Sequence, residues 1–206
     1  MNKFTFIHPT KCGGISITNV LKKYYSKFFN VEKNEIGKIH TTMCNDNNNP
    51  IILVRDPVDR FKSMYKYWKY GSEKYNQRTV RYKSYIKNMN IKHYIHLIKI
   101  KSPLLKNSYT WDKHYAPITD WIKVSNYNKL IIVKYCKDLN KPFQKMINAF
   151  NIPNLNISIP HSNVSKNKEK IVLDEEDLQF IQEYFKKDYE LIELINTNPK
   201  LFRGVF

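Results

Sequence analysis

The chain has 206 residues, with 35 Lys and Arg against 18 Asp and Glu for a formal charge of +17, and an apolar share of 42%. This length and apolar content exclude a chain that is mainly disordered, and they fit one domain over residues 1–206, because a split would leave two marginal cores. The charge attracts anionic partners such as nucleic acid, acidic glycan or nucleotide, although an A+T-rich coding bias yields the same Lys, Asn, Ile and Tyr mixture without selection for binding.

Cys12, Cys44 and Cys136 are odd in number and lack metal-site spacing, so reduced thiols and no metal are expected. Residues 1–20 hold no long apolar stretch. Neither a signal peptide nor a membrane span is therefore expected, and a cytoplasmic location follows as an expectation.

In chain order, Phe4–His8 is a short apolar strand that passes directly into Pro9, Thr10, Lys11, Cys12, Gly13, Gly14, Ile15 and Ser16. Only five glycines occur in the chain, and two of them stand together where a backbone would close around an anion. Ser16–Phe28 follows as an amphipathic helix, with Ile17, Val20, Leu21, Tyr24, Tyr25 and Phe28 at three- and four-residue spacing. Ile36–His40 is a second strand, and residues 45–50 form a polar turn. The strand Ile51–Val54 then ends at Arg55, and Pro57 opens a helix to Tyr70 that carries Phe61, Met64, Tyr65 and Trp68 on one face. Residues 71–110 have weaker periodicity and are expected to form one or two helices plus a mobile substrate-side excursion. Leu130–Tyr135 is a further strand, and Asp174 with Glu175, Glu176 and Asp177 starts a packing helix whose apolar stripe includes Leu178, Ile181, Phe185, Ile192 and Ile195. Strands alternating with helices predict an α/β fold with a central parallel sheet flanked by helices.

The strand, loop and helix around Lys11 present backbone N–H groups and the positive end of a helix dipole to one point, which suits a phosphate or sulfate. A Walker loop needs Lys after its second glycine, whereas Lys11 precedes the glycine pair, so kinase chemistry that depends on ATP is disfavoured. The second strand-to-helix unit supplies a charged donor at Arg55 and a hydroxyl at Ser63, two helical turns further on. Two such sites suit a nucleoside that carries phosphates at both ends. Arg60 either reaches the same phosphate as Arg55 or pairs with Asp56 or Asp59. His8 is expected to pack under the loop, and Cys12 to be a small loop residue instead of a nucleophile.

PTKCGGISI resembles the phosphosulfate loop of sulfotransferases that use 3′-phosphoadenosine 5′-phosphosulfate, and RDPVDRFKSMY is similar to that family's 3′-phosphate motif, R-[DN]-P-x-x-R-x-x-S. WDKHYAP at 111–117, HSNVSKNK at 161–168 and YFKKDYELI at 184–192 are similar to late elements of carbohydrate sulfotransferases, including the uronyl 2-O and chondroitin-type branch. The resemblance implies a P-loop-like three-layer fold and residues 9–16, Arg55 and Ser63 as donor ligands. It also implies sulfuryl transfer to a hydroxyl, with a glycan as the expected acceptor. No nucleic-acid partner is expected, and the oligomeric state is left open.

Sulfuryl transfer needs in-line geometry and charge stabilisation more than covalent help, and Lys11 is the expected neutraliser of the departing phosphate oxygen. His40 ends a strand, which in a parallel sheet brings it to the edge shared by Lys11 and Arg55, and its place matches the catalytic base of the uronyl 2-O branch. His114 is the rival base, on the substrate side, unless it packs with Trp111, Tyr115 and Trp121. Asn163, Ser165 and Lys168 either close over the nucleotide or form an exposed polar loop. The competing classes are a P-loop kinase, a basic nucleic-acid binder and a family member that binds donor without catalysis.

Overall fold

The computed structural model describes residues 3–30, 49–70, 88–100, 102, 116–160 and 169–206. Among the described residues five parallel strands, β1 (Phe4–Ile7), β2 (Phe29–Asn30), β3 (Pro50–Val54), β4 (Ile131–Lys134) and β5 (Gly204–Val205), form one sheet in the order β2-β1-β3-β4-β5. Every residue of β3 is buried, as a run of β-branched and aliphatic side chains covered on both faces requires. Its register is Ile7 against Ile52 on one side and Val54 against Lys134 on the other.

Among the described residues six helices accompany the sheet: α1 (Gly14–Tyr24), α2 (Pro57–Tyr70), α3 (Ile91–Lys99), α4 (Asn140–Ala149), α5 (Glu175–Tyr184) and α6 (Lys186–Thr197). α1, α4 and α6 bury Ile17, Val20, Leu21, Phe143, Met146, Ile147, Leu191 and Ile195 in the core that contains the strands. α2, α3 and α5 build a second cluster from Phe61, Met64, Tyr65, Tyr94, Ile95, Leu97, Ile98, Phe180 and Ile181. This is the expected α/β, P-loop-like architecture, with helices flanking a parallel sheet. Among the described residues no helix is long and apolar enough to cross a membrane.

The chain departs from its local pattern in several places. The first helix starts earlier and ends sooner than Ser16–Phe28: a turn in which Tyr25 N–H donates to Leu21 O and Phe29 N–H to Tyr25 O delivers Phe29 into the edge strand β2. The C-terminal apolar stripe is divided at Phe185 between α5 and α6, and α5 begins with a reciprocal capping box between Asp174 and Asp177. β5 had no sequence signal and forms because Phe206 accepts from Lys134 N–H while Arg203 and Phe206 donate to Leu130 O and Ile132 O. The predicted strand Ile36–His40 lies outside the described residues. So does most of 71–110, apart from the stretch that holds α3.

The strand order sets the location of the site. After β1 the chain crosses to β2 on one side, whereas β3 lies against β1 on the other, so the connections leaving β1 and β3 diverge from neighbouring strand ends. Open parallel sheets bind ligands in the crevice that this reversal leaves at the C-terminal strand ends.

Candidate functional site

The two predicted anion loops meet at this reversal. Arg55, directly after β3, donates from Nη1 to the Lys11 carbonyl at 2.7 Å, joining segments that lie 44 residues apart in sequence. Arg55 is half-buried, its guanidinium lies 4.2 Å from the centroid of the Tyr135 ring, and its Nε is buried without a hydrogen-bond partner among the described residues. A buried charged donor of this kind carries a full desolvation cost until an acceptor meets it.

The loop itself is held in an unusual backbone form. Lys11 has φ 62° and Gly13 has φ 79°, both left-handed, and Gly13 N-caps α1 with no side-chain cap and no acidic residue in the first turn. The positive end of the helix is therefore not neutralised by a carboxylate in its own first turn. Gly14 is dictated by packing, since a Cβ there would overlap the side chain of His8, which is buried as expected and also stacks on Phe6. A Cβ on Gly13 would come within 2.9 Å of Tyr135 Cε2. Pro9, Thr10, Cys12 and Ser16 are buried, while Lys11 and Ile15 are only partly covered.

Lys11 extends its amine over the Tyr67 ring on α2, with Nζ 4.3 Å from the ring centroid. Desolvation first, and then the Arg55 charge, lower its pKa from the ordinary 10.5 to about 8. The Cys12 thiol is driven the other way by complete burial, to about 11, which makes it a neutral packing group at physiological pH. Ser63 stands partly exposed on α2, on the face that also carries Tyr67 one turn further on.

Arg60 follows neither expected alternative. Its guanidinium is completely buried: Nε donates to Thr10 O at 3.0 Å, Nη2 to Thr10 Oγ1 at 3.2 Å and to Ala116 O at 2.9 Å, and Nη1 lies 3.6 Å from Asp188 Oδ2. Asp188, 1% exposed, also accepts from Ile118 N–H, Thr119 N–H and the Thr119 hydroxyl. Asp56, the partner considered from sequence, instead accepts from Asp59 N–H at the start of α2. Desolvation outweighs the pairing for both charges, raising the Asp188 carboxyl and lowering Arg60. This pair braces the Thr10 loop, the 116–119 segment and α6 against one another.

Sequence reasoning passed over Asp188, Tyr67 and Tyr135. Asp188 is the acid of YFKKDYELI, Tyr67 follows Ser63 by four residues on a helix, and Tyr135 is the aromatic at the end of β4, so each left a trace but none a role. His40, His114, Asn163, Ser165 and Lys168 lie outside the described residues. Among the described residues no group of three or more His, Cys, Asp or Glu could hold a metal ion.

A family model described as the sulfotransferase family matches residues 2–193 of the chain. No curated protein and no solved structure matches it.

Proposed function

We propose, from the premise that this chain belongs to the sulfotransferase family, that it transfers a sulfuryl group from 3′-phosphoadenosine 5′-phosphosulfate to a hydroxyl, with a carbohydrate as acceptor. The observation that carries the donor assignment is the join between the two loops. Arg55, directly after β3, binds the Lys11 carbonyl with one nitrogen and keeps a second, buried N–H without an acceptor among the described residues. An oxyanion is the chemistry that such a donor, a nearby ammonium and an uncapped helix start have in common.

In this reading residues 9–16 cradle the 5′ end of the donor, through the amides of Gly13, Gly14, Ile15 and Ser16 and the Ser16 hydroxyl, while Arg55 and Ser63 take the 3′-phosphate. Lys11 neutralises the charge that builds on the phosphate oxygen as its bond to sulfur breaks and the acceptor oxygen bonds to sulfur. His40, or His114 as its rival, receives the proton of the acceptor hydroxyl. The carbohydrate preference rests on the sequence likeness of residues 111–117 and 161–168.

Calorimetric titration with adenosine 3′,5′-bisphosphate beside ATP tests the donor. Binding of the bisphosphate alone, lost in Arg55→Ala, is expected; preference for ATP with magnesium would favour a kinase, and tight, steeply salt-dependent binding to arbitrary oligonucleotides would favour a nucleic-acid binder. Sulfuryl transfer that continued at the wild-type rate in both Lys11→Ala and Arg55→Ala would overturn the site assignment.

A further inference from the structure

Among the described residues, no carboxylate is one of the groups that bear on the ionisation of Lys11. Arg55 at the end of β3 repels it, Cys12 beside it in the loop is neutral, and from α2 the Tyr67 ring meets it face on, 4.3 Å from Nζ. Its backbone is also committed, since φ is 62° and its carbonyl accepts from Arg55. The direction of the amine is thus set by the aromatic face.

We propose that Tyr67 is a positioning residue for Lys11, holding the ammonium by a cation–π contact at the mouth of the crevice so that it is oriented before a phosphate arrives. The inference deepens the reading above and rests on Lys11 serving the departing phosphate. A carboxylate in the same place would hold the amine more firmly, but it would compete with the incoming anion and would itself be repelled by it. A ring face attracts the cation through its quadrupole and leaves the N–H groups on the far side free to turn toward an oxyanion. It also offsets part of the desolvation and the Arg55 repulsion that favour the neutral amine. Tyr67 sits on the same face of α2 as Ser63, so one helix would place a ligand for one phosphate and the guide for the lysine of the other.

The test compares Tyr67→Leu, which removes the ring, with Tyr67→Phe, which keeps it. Lys11 ionisation is read by competitive acetylation across pH with peptide-resolved mass spectrometry, and nucleotide binding by calorimetry with adenosine 3′,5′-bisphosphate. Tyr67→Leu should lower the Lys11 pKa by about half a unit and weaken binding at pH 8.5 roughly threefold, with a smaller change at pH 6.5, while Tyr67→Phe stays close to wild type. Turnover should fall through kcat more than through KM, because the amine acts on charge that develops in the transition state. An unchanged Lys11 pKa in Tyr67→Leu, or an equal loss in Tyr67→Phe, overturns the positioning role. The acetylation arm reads Lys11 without any transfer assay. A shifted Lys11 pKa combined with full activity in Lys11→Ala would therefore sink the role of Lys11 in transfer and leave its contact with Tyr67 standing.

Discussion

Asp188→Ala is the perturbation that most directly tests how the site is held together. The carboxylate is 1% exposed, lies 3.6 Å from an Arg60 nitrogen that is itself fully buried, and accepts from two backbone amides and a hydroxyl of the 118–119 segment. Removing one partner of a buried pair typically costs about 3–5 kcal/mol, because the remaining charge has lost its compensation without regaining water. The stranded Ile118 and Thr119 amides belong to the same loss, each worth roughly 1–3 kcal/mol if it stays dry, so the upper half of that range is expected. At about 2–4 °C per kcal/mol for a chain of this size, the melting temperature should fall by roughly 8–20 °C. Urea unfolding followed by tryptophan fluorescence suits the measurement, since Trp121 packs against the Arg60 guanidinium. Asp188→Asn, which keeps an acceptor oxygen, should lose less. Substituting both partners, as Arg60→Met with Asp188→Leu, should not restore wild-type stability, because Thr10 O, Ala116 O and the two amides would all lose partners. An Asp188→Ala protein within about 1 kcal/mol of wild type would refute the view that this pair braces the loop.

Four further outcomes are expected. Lys11 loses its proton near pH 8 in the fold but near 10.5 in the unfolded chain, so kcat/KM for the donor should decline as pH rises through about 8. Over the window between those values the unfolded state binds more protons, so the contribution of Lys11 to stability rises with pH, and denaturant midpoints of wild type and Lys11→Met should diverge in that sense. Gly14→Ala should destabilise by about 1–3 kcal/mol and weaken bisphosphate binding, because its methyl meets the buried His8; equal midpoints in urea would contradict this packing. Iodoacetamide at neutral pH should label the exposed Cys136 and spare Cys12 until denaturant is added, as read from the corresponding peptides, since complete burial both shields the Cys12 thiol and keeps it protonated.

Elements whose cause is local could be read from the residues alone. An apolar run that fills β3, a first-turn Pro57, the acidic start of α5 and the glycine pair after β1 each encode a backbone state within a few residues, and each was legible at once. The two strand–turn–helix units at β1–α1 and β3–α2 were legible for the same reason, because strand, turn and helix follow one another without interruption. Tertiary structure decided what depends on the order of strands in space. β2 and β5 are two residues each, too short for any periodicity, and they exist because β1 and β4 offer them unpaired edges. Arg60 had nearby acids in sequence yet found its partner in α6. The buried end of α2 lies against Thr10 and the 116–119 segment, where a guanidinium must satisfy its donors with whatever acceptors the packing presents. Tyr67 acquired its bearing on Lys11 in the same way. Its helix starts beside the loop that leaves β1 only because β1 and β3 are neighbours in the sheet, a pairing that no local pattern specifies.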